Sequence, residues 1–300
     1  QPHCWRFLFP VGPDQDEPTA DQMREKVLAF IGRVDRADIL GKVFYRIHHR
    51  VATRWRDRRV FLMGDAAHLI TPMWALGLNT GALDASNLPW RLAWLLRGWA
   101  DETVLDGYER EQRPVATGGS GQMAEEARRH MGKMSERVAA MTANNWGNAY
   151  TRTMLGVRLD VAGTGDWSMV KNQTEPALVA GDRMPDMLVH DAAGREIRLH
   201  DLFVDRFTAL VFTDARRRPN LPADSRRLAF RVISRWDAPL GGDLRSRALL
   251  DSGDSVRRRA GCADDTLILV RPDEHIAAIT PYTPGVGAAL YRAVVGRAPE

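Results

Sequence analysis

Gly64-Asp65 closes the apolar run "RVFLM", and after it come Pro72 and then Gly77-Leu78-Asn79-Thr80-Gly81, which opens a helical pattern. A glycine at a strand end lets a bulky ligand approach the backbone, and the aspartate beside it can accept hydrogen bonds from sugar or polyol hydroxyls. The first amides of a helix have no acceptor within it, and they carry the positive end of its dipole. Such an end favours an anion, whether a phosphate or an electron-rich ring carrying negative charge. In open α/β sheets ligands gather outside the carboxyl ends of the strands, where this junction would lie. Residue chemistry alone suits a large ligand with both hydroxyls and an anionic portion. Gly-Asp by itself also describes an ordinary strand-to-helix turn, so the combination carries the reading.

Several elements must position that junction. "RVFLM" is apolar throughout, which predicts a strand buried between helix layers of a parallel sheet. Thr80 to Leu96 reads as helix, with a kink or restart at Pro89 capped by Ser86 or Asn87. "DETVLDGYEREQRP" predicts a short helix ended by Pro114, and "GGSG" (Gly118 to Gly121) a flexible joint. Upstream, "HCWRFLFP" reads as a strand. Met23, Val27, Phe30, Ile31 and Val34 fall on one helix face, and Thr19 with Gln22 resembles a capping box. "KVFYRIHHRVATRW" predicts one or two strands. Downstream, Met123, Ala127, Met131, Met134, Val138 and Met141 predict a long amphipathic helix, and Lys171 to Asp182 a linker. Strand candidates "EIRL", "FTALVFT", "TLILVRP" and "HIAAIT", with "DSRRLAFRVISRW" as a helix between the second and third, predict a small α/β domain. "TPGVGAAL" reads as a loop into the last helix.

Composition narrows the function classes. The chain of 300 residues is 44% hydrophobic, enough for two ordinary cores. No apolar run approaches the roughly 20 residues of a bilayer span, so a cytoplasmic protein without a membrane partner is expected. Cys4 and Cys262 stand near opposite ends with no Cys-x-x-Cys and no ligand cluster, so neither a disulfide framework nor a metal site is expected. A net charge of +4 and a pI of about 9.3 reflect arginines spread among acids. The clusters Arg216 to Arg218 and Arg257 to Arg259 lack interleaved aromatics, so no nucleic-acid partner is expected. The chain opens on Gln with a strand in progress, which predicts a piece of a longer protein.

"RVFLMGDAAHLITP", "GLNTGALDASNLPWRLAWLLRG" and "YEREQRP" resemble the second half of the FAD-binding domain of single-component flavoprotein aromatic hydroxylases. This is the para-hydroxybenzoate and phenol hydroxylase group, and the likeness is strongest to the 3-(3-hydroxyphenyl)propionate hydroxylase branch. "AGDRMPDMLVHDAAGREIRLHDLF" and "LILVRPDEHIAAI" look like the thioredoxin-like C-terminal domain of the phenol hydroxylase type. The resemblance implies an α/β fold: an incomplete, Rossmann-like FAD-binding domain with substrate-domain strands, then a small thioredoxin-like α/β domain. The implied boundaries are 1–50 for substrate-domain strands and helix, 51–117 for the C-terminal half of the FAD-binding domain, 118–178 for a helical connector and 179–300 for the thioredoxin-like domain.

The resemblance further implies that Asp65 bonds the ribityl chain of FAD and that Gly64 permits close approach. Backbone amides of Gly77, Leu78 and Asn79 would face the flavin's pyrimidine edge, and the Pro72 carbonyl would lie near flavin C4a. His68 is expected to pack or cap rather than act as acid or base, and no catalytic side chain is assigned. The implied reaction is hydroxylation of a small phenolic or aromatic substrate with NAD(P)H as co-substrate and O2 as oxidant. A homodimer is the candidate assembly. Three departures stand out. Ala75-Leu76-Gly77 replaces the family's Gly-Gln-Gly, Arg58 stands where relatives place a turn glycine, and the family's G-x-G-x-x-G and Asp-Gly motifs are missing. These departures motivate an alternative: a non-catalytic, truncated flavoprotein whose thioredoxin-like tail serves interaction or dimerisation.

Overall fold

The computed structural model describes residues 4–9, 11–12, 15–32, 38–71, 76–122, 124–125, 157–168, 177–214, 219–235 and 240–300. Helix α1 (Ala20–Ile31) begins at the foreseen capping box. The Thr19 hydroxyl accepts the Gln22 amide at 3.2 Å, the Gln22 side chain accepts the Thr19 amide at 2.9 Å, and Gly32 at φ 69° closes the helix. Cys4 to Phe9 form no strand, because a strand needs a hydrogen-bonded neighbour and none of the described residues supplies one. Of "KVFYRIHHRVATRW" only β1 (Arg50–Val51) pairs, antiparallel to β4 (His68–Leu69).

The "RVFLM" expectation is overturned. Its paired part is β3 (Val60–Phe61), a two-residue strand antiparallel to β2 (Arg56–Asp57), with Val60 exposed. The hairpin turns on Arg58 and Arg59, and Arg58 takes the left-handed conformation at φ 55°, so the turn is tight without the family's glycine. The side chain of Arg56 ties the hairpin to the next helical segment, pairing with Glu102 at 2.5 Å and with Asp106.

Helix α2 (Leu76–Leu96) passes Pro89 without a restart. Asn87 does not cap; its side chain bonds Glu111 and Arg91 instead, while the Ser86 hydroxyl donates to the Leu83 carbonyl. A 3-10 turn (Glu102–Leu105) leads into α3 (Asp106–Pro114). Pro114 does not end this helix, which widens into a π-helical segment (Val115–Ser120). "GGSG" is therefore no flexible joint. Gly119, Ser120 and Gly121 are buried, and a Cβ on Gly121 would sit 2.3 Å from His49 Cε1, so glycine here permits close packing. The predicted Met-rich helix lies outside the described residues, except at Ala124 and Glu125.

The C-terminal part is a seven-stranded sheet with the order β11-β10-β7-β8-β9-β5-β6. Its strands are β5 (Leu188–His190), β6 (Glu196–Arg198), β7 (Phe207–Phe212), β8 (Leu228–Arg235), β9 (Ala248–Asp251), β10 (Thr266–Val270) and β11 (Ile276–Pro281). β7, β8 and β9 run parallel, and the flanking pairs are antiparallel. "DSRRLAFRVISRW" is thus corrected from helix to strand. Its nearly continuous apolar run is buried on both faces, as a central parallel strand demands. Helices α4 (Ser255–Ala260) and α5 (Val286–Val295) complete this part, and α5 follows Gly285 as expected. Leu178 and Met184, at the end of the predicted linker, are core residues.

The sheet's alternation divides its core. Phe207, Ala209, Val211, Phe230, Leu267 and Leu269 face one side and pack with Trp90, Trp94, Val104, Leu105 and Tyr291. Leu210, Phe212, Ile233, Ile268 and Val270 face the other, against Phe203, Val256 and Met184. Helix α2 therefore roofs the sheet at one end and carries the Gly-Asp junction at the other. Among the described residues no helix is long and apolar enough to cross a membrane, and no cluster of side chains could hold a metal ion.

Candidate functional site

After β3 the chain runs extended to Met63 and then turns at Gly64, whose φ of 57° suits glycine. Gly64–Ala66 form one 3-10 turn, closed by the Ala67 amide on the Gly64 carbonyl at 2.8 Å. The chain leaves through β4, where the Ala67 carbonyl accepts the Ala52 amide at 2.8 Å. Helix α2 packs directly against this turn: a Cβ on Gly81 would stand 3.7 Å from Gly64 Cα. The structure thus brings Gly64 and Asp65 against the first turns of the helix that bears Gly77, Leu78 and Asn79.

These residues present themselves differently. Asp65 is exposed, and Leu78 is 80% exposed. Asn79 is buried with its Nδ2 unpartnered among the described residues, and so is the Thr71 Oγ1. Gly77 lies close to the preceding strand end, where a Cβ would come within 3.5 Å of the Ile70 carbonyl oxygen. Thr80 donates to the Leu76 carbonyl at 2.8 Å and reaches Ser120 Oγ at 2.7 Å. Pro72 and Ala75 lie outside the described residues.

Beneath the turn is a side-chain set that sequence reasoning overlooked. Asp84 Oδ2 accepts the Gly64 amide at 2.9 Å and lies 2.6 Å from His68 Nε2. Both side chains are wholly buried, which bears on the expectation that His68 is structural. Trp55 lies over His68 at 5.3 Å and beside Tyr108 at 5.6 Å between ring centroids. Burial, together with the Asp84 and Glu109 carboxylates, pushes the Tyr108 hydroxyl up, so it stays protonated and donates to the Leu62 carbonyl at 3.0 Å. A signal for Asp84 did exist. Thr80, Asp84, Asn87 and Arg91 recur at steps of four, three and four, a polar stripe on one face of a helix whose other residues are largely apolar.

The residues fit a flavin's needs: open space at Gly64, an exposed carboxylate at Asp65, a helix start whose first amides have no acceptor within the helix, and the atoms of Asn79 and Thr71 that lack a partner among the described residues. The family described as FAD binding domain matches residues 4–119. An aklavinone 12-hydroxylase of Streptomyces purpurascens is 30% identical over 279 residues, covering 88% of this chain and 49% of that protein. A 3-(3-hydroxy-phenyl)propionate/3-hydroxycinnamic acid hydroxylase of Mycolicibacterium smegmatis is 38% identical over 115 residues, covering 37% of this chain and 20% of that protein. Among solved structures, an aklavinone-11 hydroxylase in ternary complex with FAD and aklavinone has a TM-score of 0.67 and 26% identity, covering 96% of this chain and 54% of that one. The chain spans about half, or less, of the length of these relatives. Residues 4–119 thus match an FAD-binding-domain family, and the chain as a whole is similar to hydroxylases that include one solved with FAD bound.

Proposed function

We propose that this chain supplies the ribityl and ring side of an FAD site in an aromatic-ring monooxygenase that uses NAD(P)H and O2. The observation that carries the reading is the Gly64–Asp65 turn packed on the start of α2, with Asn79 Nδ2 and Thr71 Oγ1 buried and without a partner among the described residues. Asp65 would accept hydrogen bonds from ribityl hydroxyls. The amides of Gly77, Leu78 and Asn79 would favour negative charge on the ring, and Pro72, outside the described residues, belongs to the same reading through the resemblance. When bound, the flavin supplies the redox chemistry, taking electrons from NAD(P)H and activating O2. This chain's residues bind and orient it, and none of them is assigned a proton transfer.

The relatives' names support a hydroxylated aromatic compound as substrate. We further infer a thioredoxin-like tail without dithiol chemistry. Cys262 stands alone in it, and burial pushes its thiol up to about 11, against the attraction of Arg257. A homodimer belongs to the same reading. The test is reconstitution of the purified chain with excess FAD, followed by desalting and a visible spectrum. Retained flavin absorbance is expected, with substrate-stimulated NAD(P)H oxidation as the next assay. A colourless protein that also leaves flavin fluorescence unquenched in titration would overturn the reading.

A further inference from the structure

We propose that Asp84 is a positioning residue of the flavin-binding turn, acting through Gly64 and His68 to set the place of Asp65; the proposal rests on the FAD reading above. One oxygen, Oδ2, takes both contacts, the Gly64 amide at 2.9 Å and His68 Nε2 at 2.6 Å. Gly64 opens the 3-10 turn and His68 begins the strand that leaves it, so a single carboxylate pins residues 64–68 at both ends. Asp65 lies between the two pins, exposed and with no hydrogen bond to the described residues.

The arrangement is costly for a purely structural one. Asp84 is 0% exposed, its Oδ1 makes no hydrogen bond of good geometry although the Tyr108 hydroxyl stands near the carboxylate, and His68 Nδ1 has no described partner. Burying polar atoms without partners is unfavourable, and an apolar residue at position 84 would remove Oδ1 from that count only by stranding the Gly64 amide and His68 Nε2. What an apolar residue could not do is accept the inward-pointing amide of Gly64. With Gly81 bringing the helix to within contact of Gly64 Cα, the carboxylate fixes the turn's position as well as its conformation. Asp84 touches no ligand in this scheme. It holds the backbone from which Asp65 reaches outward.

The experiment is a double-mutant cycle on FAD affinity, read by quenching of flavin fluorescence, with near-UV circular dichroism and thermal melting of the FAD-free proteins alongside. Asp84→Ala is expected to weaken FAD binding roughly tenfold, the loss of one hydrogen bond to a charged group. Asp84→Asn should bind within about threefold of the unaltered chain, because its amide oxygen can take the place of Oδ2 and its amide nitrogen the place of the unpartnered Oδ1. In an Asp65→Ala background Asp84→Ala should weaken binding little further, since its effect runs through Asp65. Should Asp84→Ala fail to fold, Asp84→Ser, whose shorter hydroxyl withdraws from Gly64, takes its place in the cycle.

Additive losses in the double variant, or unchanged affinity in Asp84→Ala, would overturn the proposal while leaving the FAD reading intact. If the unaltered chain does not bind FAD, the functional reading fails and takes this inference with it.

Discussion

Helix α2 carries two buried polar clusters on one stripe, and they are finished to different standards. Near its start, Asp84 and His68 hold the Gly64 turn, yet Asp84 Oδ1, His68 Nδ1, Thr71 Oγ1 and Asn79 Nδ2 have no described partners. Farther along, Asn87, Trp90 and Arg91 meet Glu111 of α3 and Arg271 and Asp273 of the tail, and every polar side-chain atom of these six residues is used, with one orphan, His275 Nε2, at the edge beside Asp273. Arg271 forks onto Glu111 with two bonds of 2.9 Å and onto Asp273 at 2.9 and 2.5 Å. Two cations and two anions are balanced there. The contrast is between a buried network satisfied almost throughout, which acts as a joint, and atoms beside a glycine turn without a described partner, which the proposed function reserves for a bound flavin. The joint also recasts the tail, whose strands complete a core that α2 begins and whose β10–β11 turn completes the network.

The comparison breaks most visibly at Arg271. Arg271→Ala leaves Glu111 and Asp273 buried beside each other without the guanidinium that bridges them, and should cost roughly 3–5 kcal/mol in urea unfolding. A loss below about 1 kcal/mol would show that the network is not the joint it looks like. Gly107→Ala follows. Elsewhere in a helix this change adds stability. Here the new Cβ would stand 2.1 Å from Arg91 Nη1 and drive the guanidinium from Glu111 and the Val104 carbonyl, for an expected loss of about 1–3 kcal/mol. A Gly107→Ala protein with a raised melting temperature would refute the packing argument.

Acid should also find the joint. Burial alone would raise Glu111, but Arg271 and Arg91 outweigh it and hold the carboxyl at about 2; Asp273 is likewise held well below its ordinary range, against burial, by Arg271 and His275. Both groups are depressed in the folded state, so the stability they lend is complete above the unfolded carboxylate range, near 4.5 for Glu111. It drains away as pH falls from there toward about 2. Glu111→Gln should flatten that part of the profile of unfolding midpoint against pH. An unchanged acid limb would count against the network.

How legible each region was follows from how local its cause is. The α1 capping box, the Gly285 entry to α5 and strands β6, β7, β10 and β11 rest on neighbouring residues, and they were readable. The Gly64–Asp65 turn and the start of α2 were readable because glycine, aspartate and helix periodicity are local signals too. "LAFRVISR" was not, since its apolar spacing suits a helix as well as a strand, and its place between β7 and β9 decides the matter. Gly118 to Gly121 read as flexible because composition cannot show that Trp167 and His49 press on them. Asp84 was missed although its stripe was visible, because a polar residue inside a helix says nothing of the turn it will meet 20 residues earlier in the chain. Glu111 and Arg271, 160 residues apart, meet only when the sheet packs under α2.

The finest test sets one replacement in each cluster side by side. Thr71 is 1% exposed, and valine has its shape without the hydroxyl that lacks a described partner. Removing an unsatisfied buried hydroxyl is neutral or favourable, so the melting temperature of FAD-free Thr71→Val should hold or rise slightly, by at most about 1 kcal/mol in stability. If the orphaned atom is kept for a bound flavin, affinity for FAD should fall a few-fold in the same protein, so that stability and binding move in opposite directions. Asn87→Leu removes a polar group of similar burial from the joint, where it strips partners from Glu111, Asp273 and Arg91, and there stability alone should fall. Should Thr71→Val lower stability as Asn87→Leu does and leave FAD affinity untouched, the two clusters would be the same kind of thing, and the difference drawn between them would be wrong.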